Sequence, residues 1–407
     1  MRRILSYIAL LALAAAVPAG AQRAGDVPRR PRLPAEADSN DARAYMQLGE
    51  QRLADRPREA ADAFYWASQI NPTLADAFYG RYTALLMADP RLLVPYWQGE
   101  RRLMRNPQVI ALDSLYYRAL TMDPLLYRKF ESFLFRSYLD AWTRDALDNS
   151  GGHSFTDADK ARIIQDMMLD AGHYVRAREA YAGGRFAEAL RLYGDAISQA
   201  RRKSYVLTDR ARLHAHMGSI PAALADMTRA LEEKRGEDDN QRELVHLYES
   251  KALLEHGIGM LHERNNDPTA AREAYGRALT EDLSFYPAHV RMAALALAAG
   301  DAEAAVAEYG LAAQTTSEPS VLYVYGAVLA QTGKLDEAAA QFERVIAAAP
   351  YYPDPHFGLA MVRDAQGNAA AATEAYRGFL ARASRGHTRR AHAEQRVQAL
   401  ASAGTAP

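Results

Sequence analysis

The residues best equipped for chemistry in this 407-residue chain are its histidines, arginines and tyrosines, and their spacing favours recognition over catalysis. His214 and His216 lie two apart, on different faces of a helix, and His256 and His262 lie six apart, so neither pair can share a metal as helical neighbours. Glu255 and Glu263 flank the second pair, and paired acids on a helix read as a solvated face. There is no G-x-S-x-G, glycine-rich phosphate loop, H-E-x-x-H or EF-hand loop. No catalytic residue, metal site or cofactor is expected, and the chain is not read as an enzyme. Lysine occurs only at Lys129, Lys160, Lys203, Lys234, Lys251 and Lys334, and arginine greatly outnumbers it. Guanidinium groups suit carboxylate or phosphate binding, although the codon bias of a GC-rich genome yields the same excess. The formal charge of −1 gives no bias toward nucleic acid. The absence of cysteine excludes a disulfide framework, cysteine-based zinc sites and a lipid-modified cysteine.

These side chains must be positioned by helices, and the helices repeat. Gly300, Gly333 and Gly367 are spaced by 33 and 34 residues. Each is followed five residues later by an alanine (Ala305, Ala338, Ala372) and four beyond that by an aromatic (Tyr309, Phe342, Tyr376). Gly333 is placed to end a first helix in a left-handed turn. Asp336 then starts a second helix, with Leu335 as a hydrophobic staple before it. Ala338 marks a close helix contact, Phe342 fills the space beside it, and Pro350 stops the helix. Gly326 supplies the small residue inside the first helix. A period near 34 with these markers is the mark of helix–turn–helix solenoids, and it resembles the tetratricopeptide repeat family.

That resemblance implies an all-α fold, a right-handed solenoid that binds a protein or peptide on the concave face of its first (A) helices. Counted from the glycine and alanine markers, the expected groove residues are Tyr174, Arg178, Tyr181, Tyr205, Arg212, His216, His256, Met260, Arg264, Tyr323, Phe357 and Met361. The first half of this surface is basic and aromatic, which suits an acidic peptide; the second half is more apolar. Arg178 and Arg212 are expected to be exposed there, at equivalent positions of consecutive repeats. The lysine and asparagine set of the carboxylate-clamp members is lacking, so their peptide preference does not carry over.

The remaining organisation follows from composition. Residues 1–21 read as a cleaved signal peptide, with Arg2 and Arg3, an apolar run from Ile4 to Val17, and the small-x-small site Ala19-Gly20-Ala21. The run is short for a span of ~20 apolar residues, and a retained anchor is the alternative. An exported protein of a Gram-negative-like cell envelope, without a transmembrane segment after cleavage, is the expected setting. Residues 22–40 hold Pro28, Pro31 and Pro34 among arginines and read as an extended, solvated linker. Residues 41–149 begin with one repeat (Gly49, Ala60, Phe64, Pro72) and continue as divergent helices. These are rich in Tyr79, Tyr82, Tyr96, Tyr116 and Phe130, which read as core; a small-molecule pocket or helical enzyme site there is the alternative. Asn149-Ser150-Gly151-Gly152-His153 is a hinge or a long loop, and Asp157 starts the next helix. The main array occupies 157–384, with Gly184, Gly218 and Gly259 as further markers and, around 234–242, a longer turn plus an extended helix through Glu263. A polar capping helix closes it at 388–402. Self-association as a structural module is the third functional possibility.

Overall fold

The computed structural model describes residues 27–97, 106–148, 156, 172–200, 202–240 and 250–403. Residues 1–21, read above as a signal peptide, the break at 149–153, Asp157 and the end of the segment at 241–242 lie outside the described residues. Those residues form helices and no strand, an all-α array of helical hairpins. It divides into two compact units. One comprises 47–64 and 75–281; the other comprises the described residues up to 46, 65–74 and 282 onward. The division falls inside the first two helices, α1 (Ala42–Arg52) and α2 (Pro57–Ile70), and between 281 and 282.

In the first unit, α3 (Ala75–Ala88), α4 (Pro90–Trp97), α5 (Pro107–Met122) and α6 (Glu131–Asp148) precede three regular hairpins. These are α7 (His173–Ala182) with α8 (Phe186–Gln199), α9 (Ser204–His216) with α10 (Ile220–Asn240), and α11 (Lys251–Arg264) with α12 (Pro268–Glu281). Lys234 to Asn240, expected as a turn, instead continue α10 as helix. Charged side chains do not break a helix where proline is absent, as it is over 234–240, and the glycine at 236 costs only ~1 kcal/mol.

The second unit contains α13 (Tyr286–Ala298), α14 (Ala302–Thr315), α15 (Pro319–Gln331), α16 (Leu335–Ala348), α17 (Asp354–Ala365), α18 (Ala369–Arg382) and α19 (Arg390–Ala403). Val397 and Leu400 of α19 pack on the cluster around Phe357, Tyr376 and Phe379. Residues 28–40 are not a solvated tether. Trp66 Nε1 donates to the Pro28 carbonyl at 3.0 Å, and Arg30 lies 4.9 Å over the Trp66 ring. Asp38 accepts the Arg385 backbone N–H at 2.5 Å, and Asn40 donates to the Ala381 carbonyl at 3.2 Å. The prolines keep this stretch out of helix, and several of its polar groups bond residues far along the chain.

The hairpin turns show why glycine recurs. Gly184, Gly218, Gly300, Gly333 and Gly367 all have φ between 74° and 80°, the left-handed region. At each, the following N–H reaches back into the preceding helix, as Lys334 does to the Leu329 carbonyl at 2.9 Å. Asn266, φ 58°, takes this place between α11 and α12, where Asp267 N–H bonds the His262 carbonyl at 2.9 Å. Asparagine is among the few other residues that enter this region readily. Gly259, the glycine marker of this repeat in the sequence, lies within α11. Asp336 does not cap its helix either: α16 begins at Leu335, whereas Asp301 and Asn368 do cap theirs through Ala304 and Ala371 N–H.

Within the helices, glycine makes room for rings. A Cβ on Gly259 would lie 2.3 Å from Tyr275, and one on Gly49 or Gly80 would lie within 2.8 Å of Phe64. Phe342 is held the same way from both sides: added Cβ atoms on Gly326 and Gly358 would approach it to 2.9 and 2.6 Å. A ring so enclosed cannot swing aside, so Gly358→Ala is expected to overpack the contact by ~1–3 kcal/mol. An unchanged urea midpoint for that variant would show that the ring has room to move.

Candidate recognition site

A cavity of about 360 Å³ lies inside the first unit. Its volume is within the range of small-ligand pockets. One wall is a stack of phenols. Tyr82 and Tyr116 lie 4.9 Å apart at 18°, and Tyr79 packs beside both at 6.4 and 6.1 Å. Tyr82 donates to Tyr96 at 3.2 Å, and Tyr96 to Asp113 at 2.5 Å. The aromatic residues that the sequence shows as core are thus core on one side and cavity wall on the other.

The adjoining wall is ionic, joined to the phenols where Arg128 donates to the Tyr116 hydroxyl at 3.2 Å. Asp209, 2% exposed on α9, is shared by Arg128 from the turn before α6 and by Arg212 one turn along α9. Arg212 bonds Asp209 at 3.0 Å and gives its Nε to the Pro124 carbonyl at 2.9 Å. Tyr174 on α7 donates to Asp209 at 2.8 Å. Arg128 also lies 3.4 Å from Glu131, which pairs in turn with Arg178 of α7. Three guanidinium groups therefore share two carboxylates. Burial favours a neutral Asp209, but Arg128, Arg212 and Arg178 outweigh it and hold its carboxyl at about 2. The same burial pushes the Tyr79, Tyr82, Tyr174 and Tyr181 hydroxyls upward. The Asp209 carboxyl is therefore held ionised and these hydroxyls are held protonated.

Four of the groove residues expected from sequence meet here: Tyr174, Arg178, Tyr205 and Arg212 all line the cavity. Arg212 is not exposed, however; it is 6% accessible. A guanidinium that satisfies both a carbonyl and a carboxylate is drawn inward rather than left in solvent. Tyr181 is buried beside Tyr127, whose ring stacks on His216 at 4.3 Å. His256 is buried against Tyr275, Met260 is half-buried in the core, and Arg264 is exposed. In the other unit, Tyr323 accepts a bond from Arg389 at 2.9 Å, Phe357 is buried beneath the same arginine, and Met361 is 50% exposed. Sequence reading missed Arg128, Glu131 and Asp209. The available signal was charge spacing: Arg128 with Glu131, and Asp209 with Arg212, are i,i+3 pairs.

Among the described residues no helix is long and apolar enough to cross a membrane, and no cluster of metal-ligating side chains is present. No curated protein sequence matches this chain. Solved structures with similar folds include YrrB, a TPR protein with an unusual peptide-binding site, at 19% identity and TM-score 0.39 over 50% of this chain and 97% of that one. Yeast Tom70 is similar at 11% identity and TM-score 0.42 over 89% of each chain. PilW, a type IV pilus biogenesis factor, is similar at 18% identity and TM-score 0.39 over 56% of this chain and 96% of its own. Residues 319–352, which hold α15 and α16, match the tetratricopeptide repeat model. Those residues thus carry a tetratricopeptide repeat, and the same glycine turns and ring-on-glycine contacts recur elsewhere along the described helices.

Proposed function

We propose that this protein is a binding scaffold of the cell envelope that takes up an acidic protein or peptide partner on the α7–α9 side of its first unit. The observation that carries this reading is the convergence of Tyr174, Arg178, Tyr205 and Arg212 on one cavity. Guanidinium and rings stand together there: Arg178 lies 5.3 Å over Tyr174, and Tyr174 meets Tyr205 edge-on at 4.8 Å. Tyrosine and arginine are the residue types that dominate interface energetics. Repeats of this family generally serve as non-enzymatic scaffolds. The export segment at 1–21 supports an envelope setting.

The reading is tested by placing a photo-crosslinking amino acid at position 205 and, as a control, at the exposed Leu283. In cells, a discrete adduct is expected from 205 and not from 283. An adduct from 283 alone, or none from 205, would remove this cavity from partner recognition.

A further inference from the structure

Residues 27–40 run along the second unit without helix, and not one of them is buried. This strap is held instead by directed contacts at two places. At the first, Arg30 gives its Nε to the Tyr45 hydroxyl of α1 at 2.8 Å and another N–H to the Ser39 carbonyl. The same guanidinium lies 4.9 Å over Trp66 of α2 and 5.4 Å over Tyr45. Trp66 Nε1 donates to the Pro28 carbonyl. Tyr351, after α16, meets the indole edge-on at 4.8 Å and is itself 40% exposed. At the second place, between α18 and α19, Arg385 donates to the Glu36 carbonyl at 2.9 Å and its backbone N–H to Asp38. Aromatic faces, an indole donor for a carbonyl and rings beneath a cation are what an extended proline-containing ligand needs. Pro28, Pro31 and Pro34 fix φ and keep the backbone extended, so little freedom is lost when it is seated. Water can replace each of these polar partners, so the strap lifts more readily than a buried apolar segment would.

We infer that Tyr45, Trp66 and Tyr351 form a receptor for an extended arginine- and proline-bearing segment of a partner protein, which the chain's own strap fills in cis through Pro28 and Arg30. The strap is a tethered competitor. A short tether holds it at an effective concentration on the order of millimolar, so an outside segment gains the site only when the strap is loosened. The receptor lies in the second unit and does not depend on the cavity of the first, so either reading can fail alone.

A dye-labelled peptide of residues 27–41, titrated into the full chain and followed by fluorescence anisotropy, tests it. Its three arginines are balanced by three acids, so net charge does not drive its binding. The strap is left intact or loosened by Arg30→Ala together with Asp38→Ala. Saturable binding is expected to the loosened chain, at least about tenfold tighter than to the intact one, the size of a lost charge-assisted bond. A peptide carrying Arg30→Ala should bind the loosened chain at least about tenfold more weakly than the natural peptide. Trp66→Phe keeps a ring and deletes the indole N–H, and should weaken the natural peptide several-fold with the helical spectrum unchanged. If the doubly substituted chain loses that spectrum, Arg385→Ala, which cuts only the second anchor, serves as the loosened chain. No saturable binding at millimolar peptide, equal affinity for intact and loosened chains, or affinity indifferent to both Arg30→Ala and Trp66→Phe would overturn the inference. A wild-type chain whose solution mass doubles with concentration, and no longer does so with Arg30→Ala, would give the receptor to a second copy's strap and overturn the partner segment.

Discussion

Phe342→Ala is expected to lower unfolding free energy by ~3–5 kcal/mol, the cost of deleting a fully enclosed aromatic side chain. The ring is 1% exposed and is gripped by Gly326 of its own hairpin and Gly358 of the next. Neither glycine has a side chain that could fill the hole left by the ring. Ala338, one turn earlier and fully buried, keeps the helices at the same close separation. Tyr323 loses a ring neighbour 5.9 Å away. Because repeat arrays pass stability chiefly to adjacent hairpins, hydrogen exchange should accelerate in α15, α16 and α17 before it does in α13. Arg344→Ala on the exposed face of α16 serves as the control and should stay within ~0.5 kcal/mol. A Phe342→Ala loss no larger than that control's, or exchange that accelerates evenly across the unit, would show that the ring does not tie the two hairpins together.

This ring also shows how much was legible beforehand. Glycine, alanine and aromatic at fixed offsets have a purely local cause, since one needs φ near +78°, one needs closeness and one fills the space beside it. The period therefore disclosed the hairpins and their core. It did not disclose Asn266, because asparagine in a left-handed turn looks like any polar loop residue until its φ is seen. The site was half legible. Tyr174, Arg178, Tyr205 and Arg212 follow from counting along consecutive A helices. The other wall comes from α3, α5 and the turn before α6, where the repeat markers decay and counting gives no register. Whether a tyrosine there faces core or cavity depends on helix packing that no short spacing encodes. The burial of Arg212 has the same origin: its partner carbonyl, Pro124, is 88 residues away.

Asp209→Ala is expected to be the most damaging change in the first unit, at ~3–5 kcal/mol, because it strands buried cations rather than merely losing a bond. Arg128 and Arg212, each nearly inaccessible, would face one another with Glu131 left to serve Arg128 and Arg178. Tyr174 would also lose its acceptor. Asp209→Asn keeps the shape and removes only the charge, so it isolates the electrostatic part. The sign of the pH dependence follows from the carboxyl's position. Its ordinary value of 3.8 falls to about 2 in the fold, where burial opposes ionisation and Arg128, Arg212 and Arg178 overcome it. A folded value below the unfolded one means stabilisation that is fully present above about pH 4 and is lost as the pH falls through about 2. That separation corresponds to ~2 kcal/mol. Urea denaturation of the wild type and Asp209→Asn at steps from pH 5 to pH 2, a range that spans both values, should therefore show curves that converge on acidification. A stability difference that stays constant across this window would mean that Asp209 holds the arginines by shape alone, and the ionic wall of the cavity would lose its central charge.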